Sequence, residues 1–172
     1  MRIAIVNGRG ASGKTTFEAM VQKVAEAKDL NVEILSTISI VKKIAAEIGW
    51  TGTKTPADRR FLSDLKDALT RWDDVPYKHI CGQLEYLEKE GKTDLVFVDC
   101  REPEEIARFV EDFSAFTVLV QRGEIVPLGN HADDNVEKYQ YDIVIDNSRG
   151  LDELLEEATI FVEIFLEDEK EQ

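Results

Sequence analysis

The stretch Gly8-Arg9-Gly10-Ala11-Ser12-Gly13-Lys14-Thr15 constrains this chain more than any other. It fits G-x-x-x-x-G-K-[ST], the phosphate-binding-loop pattern. Its flanks fit as well. Ile3-Ala4-Ile5-Val6 before it is apolar, rich in β-branched residues and too short for a helix, so it reads as a buried strand. After it, Phe17, Met20, Val21, Val24 and Lys28 recur on one face of a helix over about 14–28. Strand, glycine-rich turn and helix N-terminus are the three parts a phosphate cradle needs.

Each residue type has a task in such a loop. Gly8, Gly10 and Gly13 carry no Cβ and can take positive φ, which lets backbone N–H groups converge on an anion. The free N–H groups and positive dipole end of the following helix add to that field. Lys14 would put an ammonium charge on β- and γ-phosphate oxygens, and the Thr15 hydroxyl can ligate Mg²⁺. Nucleotide binding is thus assigned to Gly8, Gly10, Ala11, Ser12, Gly13, Lys14, Thr15 and Thr16. The alternative, a chance glycine-rich turn with an exposed lysine, leaves the matching flanks unexplained.

Charge sharpens this reading. The formal charge is −14, which argues against a broad nucleic-acid or anionic-membrane surface. A nucleotide approaching such a chain needs a concentrated positive pocket, so the scarce basic residues near the loop are informative. At 172 residues with 43% hydrophobic content, the chain suits one globular domain. Cys81 and Cys100 read as reduced thiols of a cytoplasmic protein. No signal peptide and no membrane-spanning run are expected.

Further along, Asn31-Val32-Glu33-Ile34-Leu35 reads as the second strand. Ser36 or Thr37 is a candidate cap for a helix to about 48, with Ile38, Val41, Ala45 and Ile48 inward. Pro56 opens a helix near 57–72 whose apolar face is Phe61, Leu65, Ala68, Leu69 and Trp72. A helix over about 75–90 buries Tyr77, Ile80, Cys81, Leu84 and Leu87, and Gly91 suits its end. Leu95-Val96-Phe97-Val98, Thr117-Val118-Leu119-Val120 and Ile143-Val144-Ile145 are further strands. Between the first two lies a helix with Ile106, Phe109, Val110 and Phe113 inward; a last helix turns Leu154, Leu155, Ala158, Phe161, Val162 and Phe165 inward. The polar stretch 122–139 reads as a mobile loop or lid, and the acidic tail 167–172 as a fraying end. Apolar strands alternating with helices indicate an α/β parallel sheet covered on both faces, a three-layer arrangement.

A phosphate-binding loop alone says nucleoside triphosphate and little more. Asp99, at the end of an apolar strand, has the place of a carboxylate that holds Mg²⁺. A guanine-nucleotide switch is disfavoured: Asp99-Cys100-Arg101-Glu102 lacks D-x-x-G, and Asn130-His131-Ala132-Asp133 lacks the lysine of N-K-x-D. Arg59, Arg60 and Arg71 are candidates for clamping an acceptor phosphate, with Asp64 or Asp67 orienting a hydroxyl or sugar. The same charges also suit a plain solvated helix face, with i,i+4 pairs such as Arg60–Asp64. Arg101 and Arg122 follow strand C-termini, where ligands sit in such sheets, and would offset charge on a transferring phosphoryl group. His131 reads as a surface loop residue. Trp50 and Trp72 read as core or rim packing, with base stacking open to Trp50.

The loop Gly8–Thr15, the segment Val98-Asp99-Cys100-Arg101-Glu102-Pro103-Glu104-Glu105 and the closing stretch from His131-Ala132-Asp133-Asp134 through Tyr141-Asp142-Ile143-Val144-Ile145-Asp146-Asn147 resemble the phage-type deoxynucleoside monophosphate kinases. That resemblance implies the nucleoside-monophosphate-kinase version of the P-loop NTPase fold, a five-stranded parallel sheet in the order 2-3-1-4-5. Arg71-Trp72-Asp73-Asp74 is similar to a segment of animal-type phosphomevalonate kinases, which share the layout. The expectation is a kinase using ATP and Mg²⁺ on a (deoxy)nucleoside monophosphate, with an acceptor-binding insert near 50–90, as a monomer or homodimer. A phosphomevalonate-like acceptor, or a nucleotide-binding protein with little turnover, stands as the alternative.

Overall fold

The computed structural model describes residues 1–123 and 136–167. The candidate lid 122–139 therefore lies mostly outside the described residues, with His131, Asp133 and Asp134, and so does the tail 168–172. Two compact units divide the chain: Met1–Ile34 with Glu90–Gln172, and Leu35–Lys89.

The first unit carries the sheet. Its strands are β1 (Arg2–Asn7), β2 (Val32–Ser36), β3 (Leu95–Asp99), β4 (Phe116–Gln121) and β5 (Ile143–Asp146). They form one sheet in the order β2-β3-β1-β4-β5. The pairings of β1 with β3, β1 with β4 and β4 with β5 are all parallel. The two central strands are apolar almost end to end because both faces are covered: Ile3 to Val6 and Leu95 to Val98 are all buried. Register then does the positioning. Val6 lies opposite Asp99, and Asn7 opposite Leu119. The last residues of β1 and β3 thus share one end of the sheet.

Two helices, α1 (Lys14–Glu26) and α6 (Leu151–Val162), cover one face. Their buried residues Phe17, Val21, Ala25, Leu154, Ala158 and Phe161 join Ala4, Val6, Phe97, Val118 and Val120 in one core. Phe161 is its hub, with ring centroids 5.5 Å from Phe17 and 5.7 Å from Phe97. Helix α5 (Pro103–Phe113) packs against β1 and β4 through its own stripe, in which Ile106 and Phe109 are fully buried. Two side-chain clamps tie the sheet at its edges. Asp142 accepts hydrogen bonds from the Thr117 backbone N–H and hydroxyl, each at 2.8 Å, and its own N–H donates back to Thr117 at 2.9 Å. At the other edge, Asp94 accepts from the Asn31 N–H at 2.7 Å.

The second unit is built mainly of α2 (Ser39–Glu47), α3 (Pro56–Asp73) and α4 (Val75–Glu90). Here the sequence expectations need three corrections. Neither Ser36 nor Thr37 caps α2: Ser36 ends β2, and the cap position falls on Ile38, which makes no side-chain cap bond. Ile48 is exposed because it lies past the helix end, in a non-helical conformation. Most of all, α3 buries none of its residues, and Trp72 is 78% exposed. Periodicity identified which residues share a face of α3; it carried no information on whether another element covers that face. In α6, Leu155 is likewise exposed, one step off the Leu154–Ala158–Phe161 stripe. Both cysteines are free thiols, Cys100 buried and Cys81 half-buried. Among the described residues, no helix is long and apolar enough to cross a membrane.

Candidate functional site

The loop after β1 owes its shape to a few local decisions. Ser12 N–H donates to the Arg9 carbonyl at 3.0 Å, closing a tight turn, and Phe17 N–H donates to the Gly13 carbonyl at 2.9 Å, opening α1. Gly13 takes the N-cap position at φ 94, where a side chain is strained. Ala11 accepts a similar strain at φ 67. Gly8 serves a different need from the positive φ expected of it. A Cβ there would lie 2.5 Å from Ser12 Oγ and 2.6 Å from the Val120 carbonyl, so only glycine fits the space. Its N–H is taken up within the chain, donating to Asn7 Oδ1 at 2.8 Å.

Helix α1 starts without a side-chain cap and without an acidic residue in its first turn. Its first N–H groups and the positive end of its dipole therefore face the loop without a carboxylate of that turn beside them. Such a helix start is a ready anion site. Ser12 is buried, and among the described residues its Oγ has no hydrogen-bond partner. A loop with no room for a Cβ at Gly8 or Gly13, an uncapped helix start and this hydroxyl fit a polyphosphate.

The Lys14 ammonium pairs with Asp99 Oδ1 and stands 3.6 Å from Glu18 Oε1. Helix and sheet together make this cluster. Glu18 is one turn after Lys14 on α1, and Asp99 ends β3 opposite Val6. Glu18 is only 1% exposed. Burial, reinforced by the neighbouring Asp99 carboxylate, pushes its pKa up to about 8, while Lys14 pulls in the opposite direction. Thr15 is exposed in the first turn of α1. Among the described residues no group of three or more His, Cys, Asp or Glu side chains could hold a metal ion. The Thr15 hydroxyl and the Asp99 carboxylate are oxygen donors of the kind that Mg²⁺ takes.

The remaining predicted residues are distributed as follows. Arg101 follows Asp99 by two positions, and its carbonyl accepts from Asn7 Nδ2 at 3.3 Å. Arg122 is exposed one residue beyond β4. Arg59, Arg60, Asp64 and Arg71 all lie exposed on α3, in the second unit, and Arg59 Nε donates to the Lys54 carbonyl at 3.4 Å.

Sequence reasoning missed two members of this site. Glu18 sits beside Phe17 and Val21 on the buried side of α1; an acid four residues after the loop lysine was the available signal. Asn147 entered only as part of a segment. Its Nδ2 donates to the Ser12 carbonyl at 2.9 Å, and it occupies the space a Gly13 side chain would need. No local pattern announces a partner 135 residues away.

No protein-family model matches the chain, and no curated protein sequence matches it either. Solved structures do. A sugar kinase from Janibacter sp. HTCC2649 superposes with a TM-score of 0.55 at 14% identity, over 95% of this chain and 95% of that one. The Mycobacterium tuberculosis APS kinase CysC in complex with AMPPNP and APS superposes with a TM-score of 0.50 at 19% identity, over 94% of this chain and 97% of that one. With its parallel sheet order and its glycine-rich loop, the chain has the fold of the P-loop kinases.

Proposed function

We propose that the protein is an ATP- and Mg²⁺-dependent kinase that transfers the γ-phosphoryl group to a (deoxy)nucleoside monophosphate. The observation that carries this reading is the uncapped start of α1 behind a loop with no room for a Cβ at Gly8 or Gly13, with Lys14 and Asp99 in contact beside it. A similar fold bound to AMPPNP supports nucleotide use. The family resemblance supports the acceptor.

In this mechanism the chain binds and orients rather than forming a covalent intermediate. Lys14 exchanges its Asp99 partner for β- and γ-phosphate oxygens. Thr15 and Asp99 would hold Mg²⁺, which when bound would supply positive charge against that of the phosphates. Arg59, Arg60 and Arg71 hold the acceptor phosphate, and Asp64 orients its sugar or hydroxyl. An acceptor oxygen forms the new P–O bond in line as the bond to the departing ADP oxygen breaks, with Arg101 and Arg122 offsetting the developing charge. Such a reaction belongs where ATP is abundant, in the cytoplasm.

A second reading keeps the chemistry and changes the acceptor to a non-nucleotide such as phosphomevalonate. The similarity in fold to a sugar kinase favours keeping it. ADP release measured over a panel of acceptors decides between them. The first reading expects turnover with one or more nucleoside monophosphates; turnover confined to another metabolite selects the second. ATP binding without ADP release from any acceptor overturns both. Lys14→Ala should weaken ATP binding roughly 10–100-fold, the worth of a charge-assisted contact. Unchanged affinity would remove the nucleotide site itself.

A further inference from the structure

Asn7 is the last residue of β1 and is 1% exposed. Every polar atom of its side chain is used. Oδ1 accepts the Gly8 N–H at 2.8 Å. Nδ2 donates one hydrogen to the Tyr141 hydroxyl at 2.7 Å and the other to the Arg101 carbonyl at 3.3 Å. The Tyr141 hydroxyl passes the chain on, donating to the Val136 carbonyl at 2.9 Å. The donors and acceptors balance in one direction only: two amide hydrogens out, one phenolic hydrogen onward. Burial, the largest cause, pushes the Tyr141 pKa up to about 12, so this hydroxyl stays a donor.

One buried amide thus joins three segments: the first residue of the phosphate loop, the turn after β3 and the approach to β5. The turn after β3 is held to β1 a second time by the Cys100 N–H donating to the Val6 carbonyl at 3.3 Å. That short turn carries Asp99 and Arg101, the two groups assigned above to metal and to developing charge. A strand end of this kind could bury an apolar residue at less cost, since a buried amide is tolerable only when all its bonds are made.

We propose that Asn7 and Tyr141 are positioning residues, which set the Asp99–Arg101 turn against the start of the phosphate loop. The proposal rests on the kinase reading for its catalytic consequence, but its geometric content does not need turnover. Asn7 reaches the loop through its oxygen and the turn through its nitrogen, so the two connections can be cut separately. Asn7→Asp keeps the size and the acceptor for Gly8 N–H but removes both donated bonds. Tyr141→Phe keeps the ring and removes only the hydroxyl.

Two measurements test this. ATP affinity is measured by calorimetry with Mg²⁺ and again in EDTA, and kcat is measured alongside. In Tyr141→Phe the affinity in EDTA should stay within about 2-fold of the parent, because Lys14 and the loop are untouched; Asn7→Asp also brings a carboxylate to the Gly8 N–H, so its Mg²⁺ gain is read against its own affinity in EDTA. The gain in affinity on adding Mg²⁺ should shrink by roughly 10-fold, because Asp99 has moved. For the active enzyme, assayed with Mg²⁺, kcat should fall about 10-fold for Tyr141→Phe and about 100-fold for Asn7→Asp. The double variant should be no worse than Asn7→Asp alone, since both act through one chain of bonds. Melting temperatures confirm folding; if Asn7→Asp fails to fold, Tyr141→Phe decides. An unchanged Mg²⁺ gain in a folded Tyr141→Phe protein overturns the proposal, as does an equal loss with and without Mg²⁺. A parent that binds ATP but releases no ADP would sink the kinase reading and leave the Mg²⁺ comparison still decisive.

Discussion

Glu18 sets the strongest condition at the scale of single residues. A carboxyl buried to this degree favours its neutral form, and the Asp99 carboxylate beside it adds to that preference. Its proton is held in the folded state up to about 8 and lost in the unfolded chain near 4.5. Between those values the folded protein binds more protons than the unfolded one, so stability falls as pH rises. Below the window the two states are protonated alike; above it the whole contribution is gone. The slope is at most about 1.4 kcal/mol per pH unit for one proton. Glu18→Gln should therefore flatten the decline in melting temperature between pH 5 and pH 8, measured against the parent by thermal unfolding. A parallel pair of curves would mean that Glu18 ionises as an ordinary surface acid. Residues of this kind were the least legible ones. The task of Lys14 could be read from its seven neighbours, whereas Glu18, through Asp99, and Asn7 and Asn147 draw their meaning from residues distant along the chain.

Local chemistry at the level of elements explains where helices begin better than what they pack on. Thr55 and Asp58 form a complete capping box: Asp58 N–H donates to the Thr55 hydroxyl at 3.2 Å, and Thr55 N–H donates to Asp58 Oδ2 at 2.8 Å. Pro56 follows in the first turn. The Thr55 hydroxyl also donates to Asp58 Oδ2 at 2.6 Å, the foremost of the bonds that hold the Asp58 carboxyl below its usual range. Because α3 buries no residue, this cap is a large share of what holds its first turns. Thr55→Ala should cost about 1 kcal/mol and speed amide exchange in α3 while leaving α1 unchanged. Equal acceleration in both helices would show the loss to be global. The contrast with α1 is instructive. There the same position is held by Gly13 with no side-chain cap, and the element is instead kept by the burial of Phe17, Val21 and Ala25. One helix is stabilised locally at its start; the other leaves its start open to a ligand.

Net charge and binding act together across the whole molecule. A chain of formal charge −14 repels a polyphosphate at long range, so affinity has to come from the few groups at the end of β1. Saturation with ATP at about 100 times Kd should stabilise the folded state by about 2.7 kcal/mol. For a chain of this size that is roughly 5–10 °C in melting temperature. Lys14→Ala should lose most of this shift, as read by thermal unfolding with and without nucleotide. A full shift in that variant would place the nucleotide elsewhere.

The primary sequence by itself determined the phosphate loop, the five strands with their apolar runs, and through the family resemblance their order in the sheet. Those features are encoded within a few neighbouring residues, by period, branching and glycine spacing. Only the tertiary structure decided that Lys14 meets Asp99, that Asn147 braces the loop, and that α3 buries none of its residues fully. Such pairings depend on how strands register and which faces another element covers, and no short stretch of chain carries that information.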